Sequence, residues 1–409
     1  MDKRLLIASF LMSGFVMASA QTTVEYSVKN NTNIERKSAP VVIRLMPYGS
    51  HIRRAVVMEN GKEVPSQLDD LNQDGHNDEL CFVTDLKGKE RKKFSIQLYD
   101  HGEEPIYQPR TYAEMVLRNT GVKEKNKHDY YIRALTVDGH AQSYNFQHHH
   151  GVAFESELVG FRIYFDPRQT IDLYGKFHRQ LEIKDTQFYT DKAQKAKGYG
   201  DDVLWVGNTF GLGALRGWNG KEPQPLTDVK YRTQRIISSG PVRSIVEVED
   251  NQWRVDPQKG PVTMVIRYVL YAGHRDVHVT ASFSRKVPDL KFSTGIINVK
   301  GSKEYSDHAG LRGCWGTDWP AGLGDTINWK RETVGLGICI PRREIVREQP
   351  ANQDNYAFVV NTPQDVLQYD IAFCSDNEDF GYHRAEDWFH FLETWKEELS
   401  NPVTVSRIR

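Results

Sequence analysis

The sequence predicts an all-β chain, and three observations support that reading. Short runs of alternating apolar and polar residues recur from residue 22 onward, each closed by turn-forming residues. No helical pattern alternates with these runs, so a parallel β-α-β sheet is not expected. The segment "ENGKE" contains an Asn60-Gly61 pair, the strongest short-range hairpin signal.

Taken in order, the first element is an address. Lys3 and Arg4 precede an apolar run from Leu5 to Val16, followed by Ala18-Ser19-Ala20. A basic head, a run too short to span a bilayer and a small-residue end read as a secretory signal over residues 1–20. The expectation is an exported, periplasmic protein. Residues 21–105 read as a small β-sandwich, built from "APVVIRL", "RAVVMENGKEVPSQL", "ELCFVTDL" and "KKFSIQLYD". "DHGEEPIYQP" (100–109) is a polar, proline-bearing linker. Residues 110–409 form a large antiparallel two-sheet sandwich, with "RSIVEVED", "TMVIRYVLYAG", "DVHVTASFS" and "VGLGICIP" among its strands. One helix is expected near the end. In "AEDWFHFLETWKEEL", Trp388, Phe391, Leu392, Trp395 and Leu399 share a face that docks on a sheet. "NPVTVSRI" returns as a last strand.

Composition bounds the function. The 409 residues are 39% hydrophobic and 26% charged, values of a folded protein, and the net charge of −1 argues against nucleic acid or an anionic membrane as partner. No later run is long enough for membrane insertion. Oligomeric state is left open. Cys81, Cys314, Cys339 and Cys374 are far apart and lack metal-ligand spacing, so they read as buried free thiols.

The segment "NFQHHHGVAFESELVGFRIYFD" (145–166) carries the densest chemistry. Read as one strand over 152–166, it places Glu155 and Glu157 in the same row as Val159, Phe161, Ile163 and Phe165, with Arg162 and Tyr164 on the other face. Two carboxylates in a core row need cations, donors or a wet cleft. The alternative is a solvated strand start with surface partners. His148, His149 and His150 suit acid–base work, a metal, or an exposed polar loop. "TIDLYGKFHRQLEI" places Asp172, Tyr174, Lys176 and His178 on one face of a strand. His274, Asp276 and His278 form a similar row. The glycine-rich stretch 198–220 lacks the spacing of a nucleotide loop and reads as turns around a shallow groove at Trp205 and Asn208. The loop "DHAGLRGCWGTDWPAGLGD" adds Arg312, Trp315, Asp318 and Trp319. "DLNQDGHNDEL" puts Asp70, Asn72, Asp74 and Asp78 at calcium-loop positions, but Cys81 stands where the closing glutamate belongs. Calcium and a plain polar hairpin loop are both open readings.

The segments "TYAEMVLRN", "VAFESELVGFRIYFD", "IDLYGK", "DDVLWVGNTFGLGAL" and "SSGPVRSIVEV" resemble a secreted bacterial family known only as domain of unknown function 4861, over roughly residues 30–405. Members have an acid pair where this chain has Glu155 and Glu157. They also have a Tyr-His-x-Asp pattern, of which this chain keeps Tyr189 and Asp191 but not the imidazole. The resemblance implies a role in polysaccharide degradation and a β-supersandwich like that of galactose mutarotase and several polysaccharide lyases. It further implies a carbon–oxygen lyase, of hydro-lyase or polysaccharide-lyase type, acting on uronic-acid oligosaccharides by β-elimination. In that chemistry Arg162, Arg179, Lys176 or a metal neutralises the uronate, and His150 or His178 is the base. Tyr164 or Tyr174 is the acid, and Glu155 and Glu157 orient the histidines or the sugar. Tyr174, Trp205, Asn208, Arg312 and Trp315 complete the expected substrate contacts. Either no cofactor or a divalent cation such as calcium is required. The competing readings are a glycoside hydrolase using paired carboxylates and a carbohydrate-binding protein without catalysis.

Overall fold

The computed structural model describes residues 21–119, 130–321, 329–362 and 365–408, so the expected signal segment lies outside the described residues. The expected all-β architecture is present. Among the described residues the strand ladders are antiparallel, and the one long helix spans Ala385–Ser400.

The small lobe is a sandwich of a five-stranded and a three-stranded sheet. Its core holds Val28, Val41, Leu80, Phe82, Phe94 and Ile96. Strands Arg54–Glu59 and Lys62–Val64 are joined by Asn60 and Gly61 at φ 51 and 78, the left-handed pair the sequence signal requires. Sequence alone groups the C-terminal strand Thr404–Ile408 with the large unit. It instead pairs with Gln21–Lys29 and completes the small lobe's five-stranded sheet.

In the large lobe a nine-stranded sheet faces two five-stranded sheets. One of these contains the strands Thr111–Glu114, Gly151–Ser156, Gly160–Tyr164, Ile171–Gly175 and Asp201–Asp202. Its inner face meets the large sheet through ring contacts such as Phe154 with Tyr268 and Phe161 with Phe373. The helix lies on the large sheet's other face. Trp388, Leu392 and Trp395 are buried there, and Trp388 Nε1 donates to the Leu336 carbonyl at 3.1 Å. Full burial of a side chain such as Leu392 contributes ~1.5–3 kcal/mol. The approach is close because the sheet offers glycines: a Cβ on Gly337 would come within 2.4 Å of Leu392.

The lobes are joined by buried polar contacts. Arg243 donates to Asp69 at 2.6 Å and to Glu79 at 2.8 Å. His274 bridges Asp276 and the Ser38 carbonyl, both at 2.9 Å. The four cysteines are free and buried, as expected. Among the described residues no helix is long and apolar enough to cross a membrane.

Candidate functional site

The sequence reading of 152–166 as one strand is corrected. The segment is a hairpin, Gly151–Ser156 and Gly160–Tyr164, turning through residues 157–159. The turn reverses the parity. Val152 and Phe154 face the core before it, Phe161 and Ile163 after it. Glu155 therefore leaves the core row and joins the outer face of this sheet, with Ala153, Arg162 and Tyr164.

That outer face carries a row of polar groups because register brings them together. Arg162 pairs in register with Asp172, and Tyr174 with Asp202. Segment 180–200 covers them. The Arg162 guanidinium is fully used. It donates to Asp172 Oδ2 at 2.6 and 3.0 Å, to Asp202 Oδ2 at 2.9 Å, to Tyr189 at 2.9 Å and to Tyr164 at 3.1 Å. Tyr164 also donates to Asp172 at 2.7 Å. The Phe188 ring lies 4.3 Å from the guanidinium. Burial opposes the arginine's charge, but the carboxylates and phenols hold its pKa well above the usual value. Burial, then the neighbouring Asp172 charge, pushes the Asp202 carboxyl well above the carboxylate range. Both aspartates thus face the same buried cation.

On the open side of this cage stands His150. Its ring stacks on Tyr144 at 3.9 Å and faces Tyr164 and Tyr189, each at 6.2 Å. The Tyr144 carbonyl lies 2.9 Å from its Nδ1, and burial pushes its pKa down to about 4. The residue sits at φ 65, a left-handed conformation that a non-glycine residue keeps only where its surroundings impose it. Arg168 is held by Asp166, at 2.5 and 2.9 Å, over the rings of Tyr144 and Tyr164. Beside it an open groove of about 540 Å³ is lined by Ser143, Tyr144, Asp166, Arg168 and Thr227.

Of the residues singled out from sequence, His150, Arg162, Tyr164, Asp172 and Tyr189 converge. The others fall elsewhere. Glu155 is fully buried, accepts from Lys176 at 2.5 Å and from the Glu182 and Ile183 amides at 2.8–2.9 Å, and so ties down the covering segment. Lys176 spends its other protons on the Ser156 and Gln180 carbonyls, at 2.7 and 2.6 Å. Glu157 sits in the turn, held by Arg110 and the Gly273 amide. Tyr174 is buried and bonded to Thr190 and the Gly200 carbonyl. His178 and Arg179 are exposed, beside Asp379 and the Phe380 ring respectively. Arg312 is buried on Glu304 and two backbone carbonyls, and Trp315 packs toward the long helix. Asn208 lies on the surface, its carbonyl capped by Arg216, and Trp205 is 56% exposed on a different face. In the loop at Asp70, Asn72, Asp74 and Asp78, carboxylate and amide oxygens accept loop amides at 2.7–3.2 Å rather than converging on one point. Among the described residues no group of three or more metal-ligating side chains is assembled.

Sequence reasoning missed Tyr144, Arg168 and the role of Asp202. Tyr144 lies just outside the quoted alternating run, and Asp202 reaches the cage only through the pairing of two distant strands.

Fold and site together define an all-β, two-lobed protein with a buried arginine–aspartate cage and, at Tyr144 and Arg168, an open groove. The chain belongs to the family described as Domain of unknown function (DUF4861), whose model matches residues 28–405. No curated protein matches it by sequence. Among solved structures it resembles an α-mannosidase from Enterococcus faecalis V583, at 9% identity and a TM-score of 0.48. It also resembles a glycosyl hydrolase family 38 protein from Enterococcus faecalis, with the same identity and TM-score. Each likeness covers 95% of this chain, which spans only 46% and 47% of those chains. Both names are those of hydrolases. The carbon–oxygen lyase expected from sequence is corrected on that finding.

Proposed function

We propose that this protein is an exported carbohydrate-active enzyme that hydrolyses oligosaccharides containing acidic sugars in the groove beside Tyr144 and Arg168. The observation that carries the reading is geometric: His150, held at φ 65 and stacked on Tyr144 at 3.9 Å, stands beside the tyrosines that ring the Arg162–Asp172–Asp202 cluster. Burial raises the Asp202 carboxyl and lowers the His150 imidazole to about 4. Titratable neighbours driven apart in this way mark acid and base assignments. Asp202 donates its proton to the glycosidic oxygen as the C–O bond breaks, and His150 takes a proton from the attacking water. Tyr164 and Tyr189 remain phenols, since burial raises both; Tyr164 spends its proton on Asp172, and both hydroxyl oxygens hold the Arg162 guanidinium in place. Arg168, oriented by Asp166 on the groove wall, presents guanidinium N–H groups suited to the carboxylate of an acidic sugar. Export rests on the Leu5–Val16 run and its flanks.

The test is product analysis on defined uronate-containing oligosaccharides. New reducing ends without the ultraviolet absorbance of an unsaturated uronate are expected, and H150N and D202N abolish them. Unsaturated product, or full turnover by both variants, overturns the proposal. Binding without any turnover leaves a carbohydrate-binding protein.

A further inference from the structure

Two walls of the open groove come from the turn at residues 166–169, which carries Arg168, and from residues 225–227. Neither segment lies in a strand, so no ladder of their own holds them. The walls meet through a backbone bond, from the Leu226 amide to the Pro167 carbonyl at 2.8 Å. Behind both lies a fully buried charged pair. Arg232 and Asp250 face each other in register on the strands Tyr231–Ser239 and Arg243–Trp253 of the nine-stranded sheet. Asp250 Oδ1 accepts from Arg232 Nε at 3.1 Å, and Asp250 Oδ2 accepts from Gln169 Nε2 at 2.6 Å. Arg232 Nη2 donates to the Leu226 carbonyl at 2.5 Å. One ion pair thus reaches the first wall through the residue next to Arg168, and the second through the residue between Pro225 and Thr227. Gln169 is buried and sits at φ 45, a left-handed conformation that a non-glycine residue keeps only where its neighbours impose it.

We infer that Arg232, Asp250 and Gln169 are positioning residues: without touching the sugar, they hold the two groove walls together and aim the Arg168 guanidinium at the substrate's carboxylate. A buried ion pair adds little net stability over apolar packing, but charge-assisted hydrogen bonds fix the direction of what they hold. The contacts run unbroken from the sheet to the groove. The Gln169 amide donates to the Asp166 carbonyl at 3.2 Å and closes the turn. The Asp166 carboxylate then accepts from the Arg168 amide at 2.7 Å and from its guanidinium at 2.9 and 2.5 Å. Recognition of a carboxylate by a guanidinium depends on the direction of its paired N–H groups. An arginine on a loosened turn keeps its charge and loses that selectivity. This role deepens the proposed function and rests on it for the ligand, while the tie between the walls stands on geometry alone.

The experiment joins hydrogen–deuterium exchange to kinetics on the full chain, with a defined uronate-containing oligosaccharide and its carboxyl-reduced counterpart. Gln169→Met keeps the side chain's length and the Arg232–Asp250 pair, and cuts the tie to one wall. Faster amide exchange is expected over residues 166–170, with exchange in the strand Val262–Tyr271 unchanged. KM for the acidic oligosaccharide rises roughly tenfold or more, kcat stays close to that of the parent, and the preference for the acidic over the reduced substrate shrinks. Arg232→Lys keeps the charge but cannot span Asp250 and Leu226 together, so exchange quickens over 225–228 as well. A purely structural role would lower Tm and leave KM and the acid preference of folded molecules unmoved. Parental exchange over 166–170 in Gln169→Met, or parental KM and acid preference, overturns the positioning role and leaves the cage chemistry standing. A parent that turns over neither oligosaccharide overturns the proposed function instead, and the exchange patterns of the two variants then decide by themselves whether the pair holds the walls.

Discussion

Replacing Lys176 with methionine separates a structural role for Glu155 from a catalytic one. The two side chains are fully buried and 2.5 Å apart. The ammonium also satisfies the carbonyls of Ser156 and Gln180. Lys176→Met keeps the volume and removes all three donors. It leaves the Glu155 carboxylate with only the Glu182 and Ile183 amides. Breaking a buried pair from one side costs ~3–5 kcal/mol. For a lobe of roughly 300 residues, at about 2.1 cal/mol/K per residue, that lowers Tm by roughly 5–8 °C. Burial already raises the Glu155 carboxyl, so acidification neutralises it readily in the variant and the deficit shrinks toward low pH. Differential scanning calorimetry across acid to neutral pH measures both effects. Turnover per folded molecule, taken well below the melting range, stays near that of the parent. A variant as stable as the parent refutes the clamp. A variant that is stable but inactive returns Lys176 and Glu155 to the chemistry.

The His274 imidazole is pushed up to about 9; burial opposes its charge, but Asp276 and the Ser38 carbonyl outweigh it. A raised imidazole stabilises fully below its ordinary value of 6.5 and loses that contribution as pH rises through about 9. His274→Gln removes at most about 3 kcal/mol at pH 6 and flattens the decline in Tm between neutral pH and pH 9. For His150 the sign is reversed: with its pKa near 4, the acid limb of kcat/KM falls well below the usual imidazole range, and a limb near 6.5 refutes its burial as base. Arg162→Lys cannot reach two aspartates and two phenols at once, so it costs ~3–5 kcal/mol and destroys activity, read by chemical denaturation and assay together. Gly337→Ala meets Leu392 at 2.4 Å and destabilises by roughly 1–3 kcal/mol through overpacking.

Local features of this fold were legible. The Asn60-Gly61 turn needs only two residues in left-handed conformation, and the final helix has Trp388, Leu392 and Trp395 on one face. The 151–164 hairpin was hidden because Glu157, Leu158 and Val159 carry no turn-forming residue, and the alternating run continues across the bend. That single reversal moved Glu155 from the core row to a clamp. Of the site, His150, Arg162 and Tyr164 could be named from their dense local pattern. Which partners meet there could not. Asp172 and Asp202 meet Arg162 through strand pairing, Tyr189 through the covering segment, and pairing between distant strands is set by the whole sheet rather than by any short stretch.

The pairing of Gln21–Lys29 with Thr404–Ile408 has a bearing on biosynthesis. A lobe whose remaining strands lie before residue 100 would ordinarily mature while the rest of the polypeptide was still being synthesised. Here its edge stays uncovered until the last strand has emerged, and an exposed edge invites mispairing with other chains. Truncation of those final residues would therefore show first as aggregation of newly made protein, with the distant groove at Tyr144 and Arg168 still intact in whatever fraction folds.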